Sequence, residues 1–147
     1  MQSMNAIRLL GGHLGYLWIV IKKIFSFKEL HYQIQFDQTI MSEDLLLLMV
    51  TNSTTTGGGF KVSPEAKIND GKLNMILCKP LPVIKRLQYL PVIEKGKHLD
   101  RNFIIDREVT HTKIKCEEET LAQIDGELIK GKTFEIKVLP NHYQFKY

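Results

Sequence analysis

The sequence predicts a mainly β fold, an antiparallel β-sandwich with an N-terminal helix and one further helix. Short stretches of alternating apolar and polar residues recur along the chain. Gly, Asn and Asp turn signals separate them, and only two stretches have helical spacing. With 147 residues the chain suits a single domain, 1–147, long enough for a full core. Hydrophobic residues make up 44% and charged residues 24%, which is ordinary for a folded soluble protein.

Taken in order, Ile7, Leu10, Leu14, Leu17, Ile21 and Ile24 form one apolar stripe, which predicts a helix over 4–26 packed on the sandwich. Gly11, Gly12 and Gly15 weaken it by roughly 1 kcal/mol each relative to Ala. Tyr16, Trp18, Val20 and Phe25 widen its apolar surface, so it needs cover on more than one side: core packing first, a membrane or a missing partner domain as the alternative. Tyr32, Ile34 and Phe36 then alternate as in a half-buried strand. The stretch 37–44 reads as a connection with an edge segment at Ile40 and Met41, 45–50 as one fully buried strand, and 52–59 as a loop. A strand over 72–78 has Leu73, Met75 and Leu77 on one face and Ile76 on the other. A helix is predicted over 81–94, with Pro80 and Pro82 suiting its start, Val83, Leu87 and Leu90 as its face with Ile84 beside it, and Pro91 kinking or ending it. Strands are predicted over 102–105, 109–116, 121–124, 133–139 and 143–147. No repeat and no low-complexity segment is visible.

The net charge of +4 and the pI near 9.0 make the chain mildly basic, but Lys and Arg are spread out. A solvated surface is the simplest reading, with attraction to anionic lipid or a nucleotide phosphate as the alternative. Nothing interleaves aromatic with basic residues as a nucleic-acid surface does, so no nucleic acid is expected. Cys78 and Cys116 are far apart and lack metal-ligand companions, which fits a reducing compartment. No run approaches the ~20 apolar residues of a spanning helix, and the N-terminus lacks the features of a signal peptide. The expected location is cytoplasmic.

Three stretches invite chemistry. Gly57-Gly58-Gly59 resembles a phosphate loop, but Phe60-Lys61-Val62-Ser63-Pro64 follows instead of Gly-Lys-Ser/Thr opening a helix. Close packing or positive-φ backbone is then the reading for these glycines. Asp70-Gly71 is a turn, and an aspartate in a turn also binds a hard cation together with backbone carbonyls. Asp125-Gly126-Glu127 has two readings. It is a hairpin turn, for which Asp-Gly is a strong signal, or part of an extended segment over 124–129. In the second case Asp125 and Glu127 share a face, as metal binding or a general base requires. The five histidines, His13, His31, His98, His111 and His142, form no metal-spaced pair, and no nucleophilic triad is supported.

The stretch GGGFKVSPEAKINDGKLN resembles the signature of diacylglycerol kinase-like lipid kinases, which are related to sphingosine kinases. GKH at 96–98, IDGEL at 124–128 and FEIKVLP at 134–140 follow in the family's order, and NAIRLLGGHLGYL resembles the helix before its first strands. The resemblance covers nearly the whole chain and implies the C-terminal half of a two-domain enzyme. In that family an N-terminal domain binds ATP through Gly-Gly-Asp-Gly-Thr, a pattern that does not occur in this sequence. The C-terminal sandwich receives the lipid. The resemblance makes Asp125 the general base toward the lipid's primary hydroxyl and Glu127 the acidic partner that organises catalytic Mg2+. It makes Asp70 a ligand of a structural Mg2+, with the backbone carbonyls of Lys67 and Lys72. Asn74 departs from the aspartate common at its position, and Lys67 stands where some members carry an acid. The implied partners are a lipid substrate, an ATP-binding domain or chain, and a membrane surface touched peripherally. The implied function is phosphorylation of diacylglycerol or a similar lipid, with this chain inactive alone. The competing function is a non-enzymatic sandwich that binds lipid or a partner protein.

Overall fold

The computed structural model describes residues 27–57 and 59–140. The predicted helix over 4–26 and the strand over 143–147 lie outside them. The described chain is mostly β, with two antiparallel sheets and one helix: β1 (Leu30–Phe36), β2 (Thr39–Leu45), β3 (Leu47–Thr51), β4 (Leu73–Cys78), α1 (Val83–Glu94), β5 (Ile104–Val109), β6 (His111–Ile124) and β7 (Glu127–Lys137). One sheet has the order β2-β1-β6-β7 and the other β3-β4-β5. The predicted sandwich is what the chain forms.

Strand β4 is buried at all six positions, and its period of two distributes them as expected. Leu73, Met75 and Leu77 face the other sheet and meet Ile34, Phe36, Leu45, Val109 and Ile114. Ile76 and Cys78 face the opposite way, against Val62, Phe103 and Ile104, with Leu81, Tyr89 and Ile93 packed alongside. The result is three layers: sheet, sheet, and a cover made of α1 and the loop before β4.

Two predicted strands are corrected. The run over 45–50 is not one strand. Leu45 pairs with Leu30 in one sheet and Leu47 pairs with Cys78 in the other, with only Leu46 between them. A run of consecutive apolar residues suits a corner between two buried sheets as well as a strand buried on both faces. The stretch over 109–116 likewise breaks at Thr110, where the chain leaves β5 and returns to the first sheet as β6. The connection predicted over 37–44 is mostly strand β2. Its polar composition reflects its place at a sheet edge, where only one face is covered. The two strands predicted over 121–124 and 133–139 belong to the long β6 and β7.

Helix α1 starts after Pro82, whose carbonyl accepts the Arg86 N–H at 3.1 Å. Pro91 does not end it; the helix runs on to Glu94. Among the described residues Tyr89 and Ile93 are the helix residues packed on the buried cluster, while the predicted Val83, Leu87 and Leu90 are half-buried outside it and Ile84 is exposed. Apolar residues lie around much of the helix, so spacing alone does not choose a side. Tyr89 and Phe103 hold ring centroids 4.6 Å apart. Arg86, on the same side as Tyr89, donates to the Phe27 carbonyl at 2.8 Å and pairs with Glu29, tying the segment before β1 to the helix.

The helix closes with the Lys97 N–H on the Val92 carbonyl and the Gly96 N–H on the Ile93 carbonyl, both 2.9 Å, around Gly96 at φ +69°. A Cβ on Gly96 would lie 3.0 Å from Pro64 Cβ and 3.1 Å from Lys61 Cβ. Gly96→Ala is therefore expected to destabilise the fold by about 1–2 kcal/mol from backbone conformation alone, and by more from crowding. Urea denaturation measures this, and an unchanged midpoint would contradict the packing described.

His98 follows directly and is 1% exposed. Its Nε2–H donates to the Val62 carbonyl at 2.9 Å, while Nδ1 has no partner among the described residues. Burial holds the ring's pKa below its ordinary 6.5. Asp106 has a buried Oδ1, also without a partner among the described residues, and burial with Glu65 and Glu108 nearby holds its pKa above 3.8. For His98, the unfolded chain takes up a proton first as pH falls below about 6.5, so stability is lost in that direction. For Asp106 the sign is opposite: stability is lost as pH rises from 3.8 through its higher folded value. The rise in urea midpoint between pH 5 and pH 7.5 should shrink in His98→Gln. Asp106→Asn should be more stable than wild type at pH 7, with the advantage gone below pH 3.8. The reverse pattern would contradict this assignment.

Candidate functional site

Ile124 pairs with Glu127, so Asp125 and Gly126 form a two-residue loop joining β6 to β7. Both have positive φ, +47° and +97°. This is the primed hairpin geometry, which an Asp-Gly pair tolerates because Asp visits this region more readily than most residues and Gly has no Cβ. The hairpin reading stands and the extended-segment alternative does not: Asp125 is at the apex and Glu127 opens β7 opposite Ile124. Both carboxylates are exposed, and neither makes a side-chain hydrogen bond or ion pair with the described residues. A carboxylate presented this way can accept a proton from a hydroxyl, or help hold a cation, once another surface brings the reactants to it.

Asp70 is placed differently. Its Oδ1 accepts the Lys72 N–H at 2.9 Å across Gly71, an Asx turn that leads into β4. That leaves Oδ2 without a hydrogen bond among the described residues, near in sequence to the backbone carbonyls of Lys67 and Lys72. All are hard oxygens of the kind Mg2+ takes, with water completing the shell. Among the described residues no three His, Cys, Asp or Glu side chains cluster to hold a metal. The Lys72 ammonium pairs with Glu108, which raises its pKa. With Asp37, Val109 and Thr110 they line a shallow depression. Asp70 precedes β4 at the end where Leu73 pairs with Val109, just before β6 begins. The Asp125 turn is at the far end of β6. Strand β7 pairs with β6 from end to end and has eleven residues, so at about 3.4 Å each roughly 35 Å of ladder separates the two. The structure does not bring the two predicted sites together.

The glycine loop is a small hairpin. Thr56 and Phe60 exchange backbone hydrogen bonds of 2.9 and 3.1 Å, and Gly59 has φ +91° with open space where a Cβ would be. Conformation rather than close packing explains Gly59, and no helix follows to face a phosphate. Below this loop are polar groups that sequence reading passed over. Thr51 and Ser63 share a 2.7 Å hydrogen bond, and Ser63, Asn74 and His98 are buried. The GKH match marked His98, but nothing in the spacing linked it to Asp106. The other described histidines are exposed and paired across strands, His31 with Asp44 and Ser42, His111 with Glu135. Both cysteines are free; burial pushes the Cys78 thiol up to about 11 and raises Cys116, so neither is an activated nucleophile.

Comparison with known proteins agrees with the fold. The family model described as the YegS C-terminal NAD kinase β-sandwich-like domain matches residues 1–145. Among solved structures, one described as "a putative diacylglycerol kinase from Bacillus anthracis str. Sterne" is similar at 25% identity and TM-score 0.74, over 96% of this chain and 47% of that one. A second of the same description gives 23% and 0.72, over 97% and 47%. A third, described as a diacylglycerol kinase of the same organism, gives 22% and 0.65, over 85% and 45%. The chain thus spans about half the length of these proteins. No curated protein matches it. By the match along its length, the chain belongs to the family of YegS C-terminal NAD kinase β-sandwich-like domains.

Proposed function

We propose that this chain is the C-terminal, lipid-receiving domain of an ATP- and Mg2+-dependent lipid kinase that phosphorylates a primary hydroxyl of diacylglycerol or a similar lipid. The observation that carries the reading is the exposed carboxylate of Asp125 at the apex of the β6–β7 hairpin, in a chain of this family. Asp125 takes the proton from the lipid hydroxyl as that oxygen bonds to the γ-phosphorus of ATP and the bond to the ADP oxygen breaks. Glu127 stands beside it as a ligand or orienting group for catalytic Mg2+. That ion supplies neutralisation of the charge spread over the phosphoryl oxygens. ATP is bound by another domain or chain, and the protein works in the cytoplasm against the inner membrane surface. At Asp70, with the carbonyls of Lys67 and Lys72, Mg2+ is structural and braces the turn into β4. In the second reading the chain is a non-enzymatic sandwich that binds lipid or a partner protein; the first experiment below separates the two.

The chain alone should form no phosphatidic acid from ATP, Mg2+ and diacylglycerol, because both substrates must be aligned within a few ångströms. With a complementing ATP-binding half, product should form, and Asp125→Asn should lower the rate by about 10²–10⁴-fold with the fold unchanged by circular dichroism. A variant as fast as wild type would remove Asp125 from the chemistry. No product with any complementing half would favour the non-enzymatic module.

If Mg2+ braces Asp70, magnesium at a hundred times its Kd should stabilise the wild-type chain by about 2.7 kcal/mol relative to EDTA. Asp70→Ala should melt lower and lose the dependence on magnesium. Identical melts of wild type with and without magnesium would exclude the structural site.

A further inference from the structure

Strand β1 pairs with β6 only from Thr112 to Cys116. Past that point β6 and β7 continue as a two-stranded ribbon. Their ladder is irregular between Lys115 and Thr120, then regular from Thr120 opposite Gly131 to Ile124 opposite Glu127. A lone two-stranded ribbon is marginal in water, yet this one carries Leu121, Ile124 and Leu128 at 66%, 56% and 71% exposure. Alternation puts Leu121 and Leu128 on one face with Gln123 and Lys130, and Ile124 on the other with Ala122 and Ile129. Scattered exposed leucines are ordinary, but two leucines exposed on the same face of a ribbon that has no third strand among the described residues mark a contact surface.

The charge of the ribbon selects the occupant. Over 117–132 there are five carboxylates, Glu117, Glu118, Glu119, Asp125 and Glu127, against Lys130 and Lys132. Lys130 is already paired with Glu119 at 2.5 Å. Anionic headgroups and nucleic-acid phosphates are repelled by such a surface, and two copies meeting tip to tip would oppose like charges. A protein surface with an apolar patch and a rim of Lys or Arg complements it. The solved relatives are about twice the length of this chain, which leaves half a protein to present that surface.

We propose that the ribbon over 120–131 docks through the face of Leu121 and Leu128 on an apolar, basic-rimmed surface of the separate ATP-binding half. The inference rests on the two-part kinase reading. Docking there sets Asp125 and Glu127 at the junction, because any surface that covers Leu121 and Leu128 borders the turn between β6 and β7.

The test uses the full chain and, as probe, the half of the Bacillus anthracis protein that this chain does not match, co-expressed and analysed by sedimentation. Wild type should form a one-to-one complex, weakened at least tenfold in Leu121→Ser with Leu128→Ser, and weakened by raised salt. The single change Leu128→Ser, with a wild-type urea midpoint, serves if the double variant unfolds. Wild-type binding that the ribbon variants leave unchanged overturns the docking site while sparing the two-part reading. No complex with wild type overturns the two-part reading itself. Self-association of the chain, or flotation with phosphatidylglycerol vesicles, that these substitutions abolish assigns the ribbon to a second copy or to lipid and overturns the proposal.

Discussion

The fold depends on a strand with no solvent face. Strand β4 lies between β3 and β5, with a sheet on one side and a helix and loop on the other, and all six of its residues are buried. Each of its side chains therefore has a fixed assignment. Odd positions from Leu73 to Leu77 close the space between the sheets, and Ile76 and Cys78 anchor the third layer. Shifting its register by one residue would exchange the two sets and place Asn74 in the apolar space between the sheets. Asn74 instead lies on the side of Ser63 and His98, where the loop before β4 packs down and buried polar groups are concentrated.

This strand was also the element most legible in the sequence. Its alternation predicts both faces, and both are as predicted. The long strands β6 and β7 were legible only in pieces. Their exposed ends mix apolar and charged residues without a simple period, because they face no sheet of this domain. The run from Leu45 to Val50 misled for the opposite reason: it is apolar throughout, and hydrophobicity does not reveal where a chain turns from one sheet to another. The face of α1 was illegible because apolar residues lie on several sides of it. Among candidate residues, Asp125 and Glu127 were visible through a turn signal and a family resemblance. That they stand at the end of a ribbon, a full strand length from Asp70, depends on pairing between residues far apart in sequence. His98 and Asp106 fall in the same class, since their shared burial comes from how the loop, the helix end and β5 pack.

The two ends of β6 have different physical characters. At its start, His111 pairs with Glu135 and Thr112 donates to the Gln35 carbonyl at 3.1 Å, inside the four-stranded sheet. At its far end the strand has one neighbour among the described residues, and its carboxylates and leucines are exposed. One end is fixed by the domain and the other is available to something else. The arrangement suits a domain that supplies chemical groups to a site it does not enclose. In the proposed kinase, rigidity of the sandwich would aim the Asp125 turn, and the ribbon's exposed surface would allow another domain to complete the position.

Leu46 and Thr110 each form a one-residue corner, the first leading from β2 to β3 and the second from β5 to β6. Together they make the chain cross between the sheets twice with no slack. Such joints count residues. Adding or removing one at either corner would invert which side chains of the next strand look inward, and no loop is there to absorb the error. The long segment between β3 and β4 has no such parity, since its twenty-one residues can change in number without turning β4 over. Length variation among related chains should therefore collect in that segment and avoid the two corners. A sequence comparison that opens a gap at Leu46 or Thr110 is misaligned.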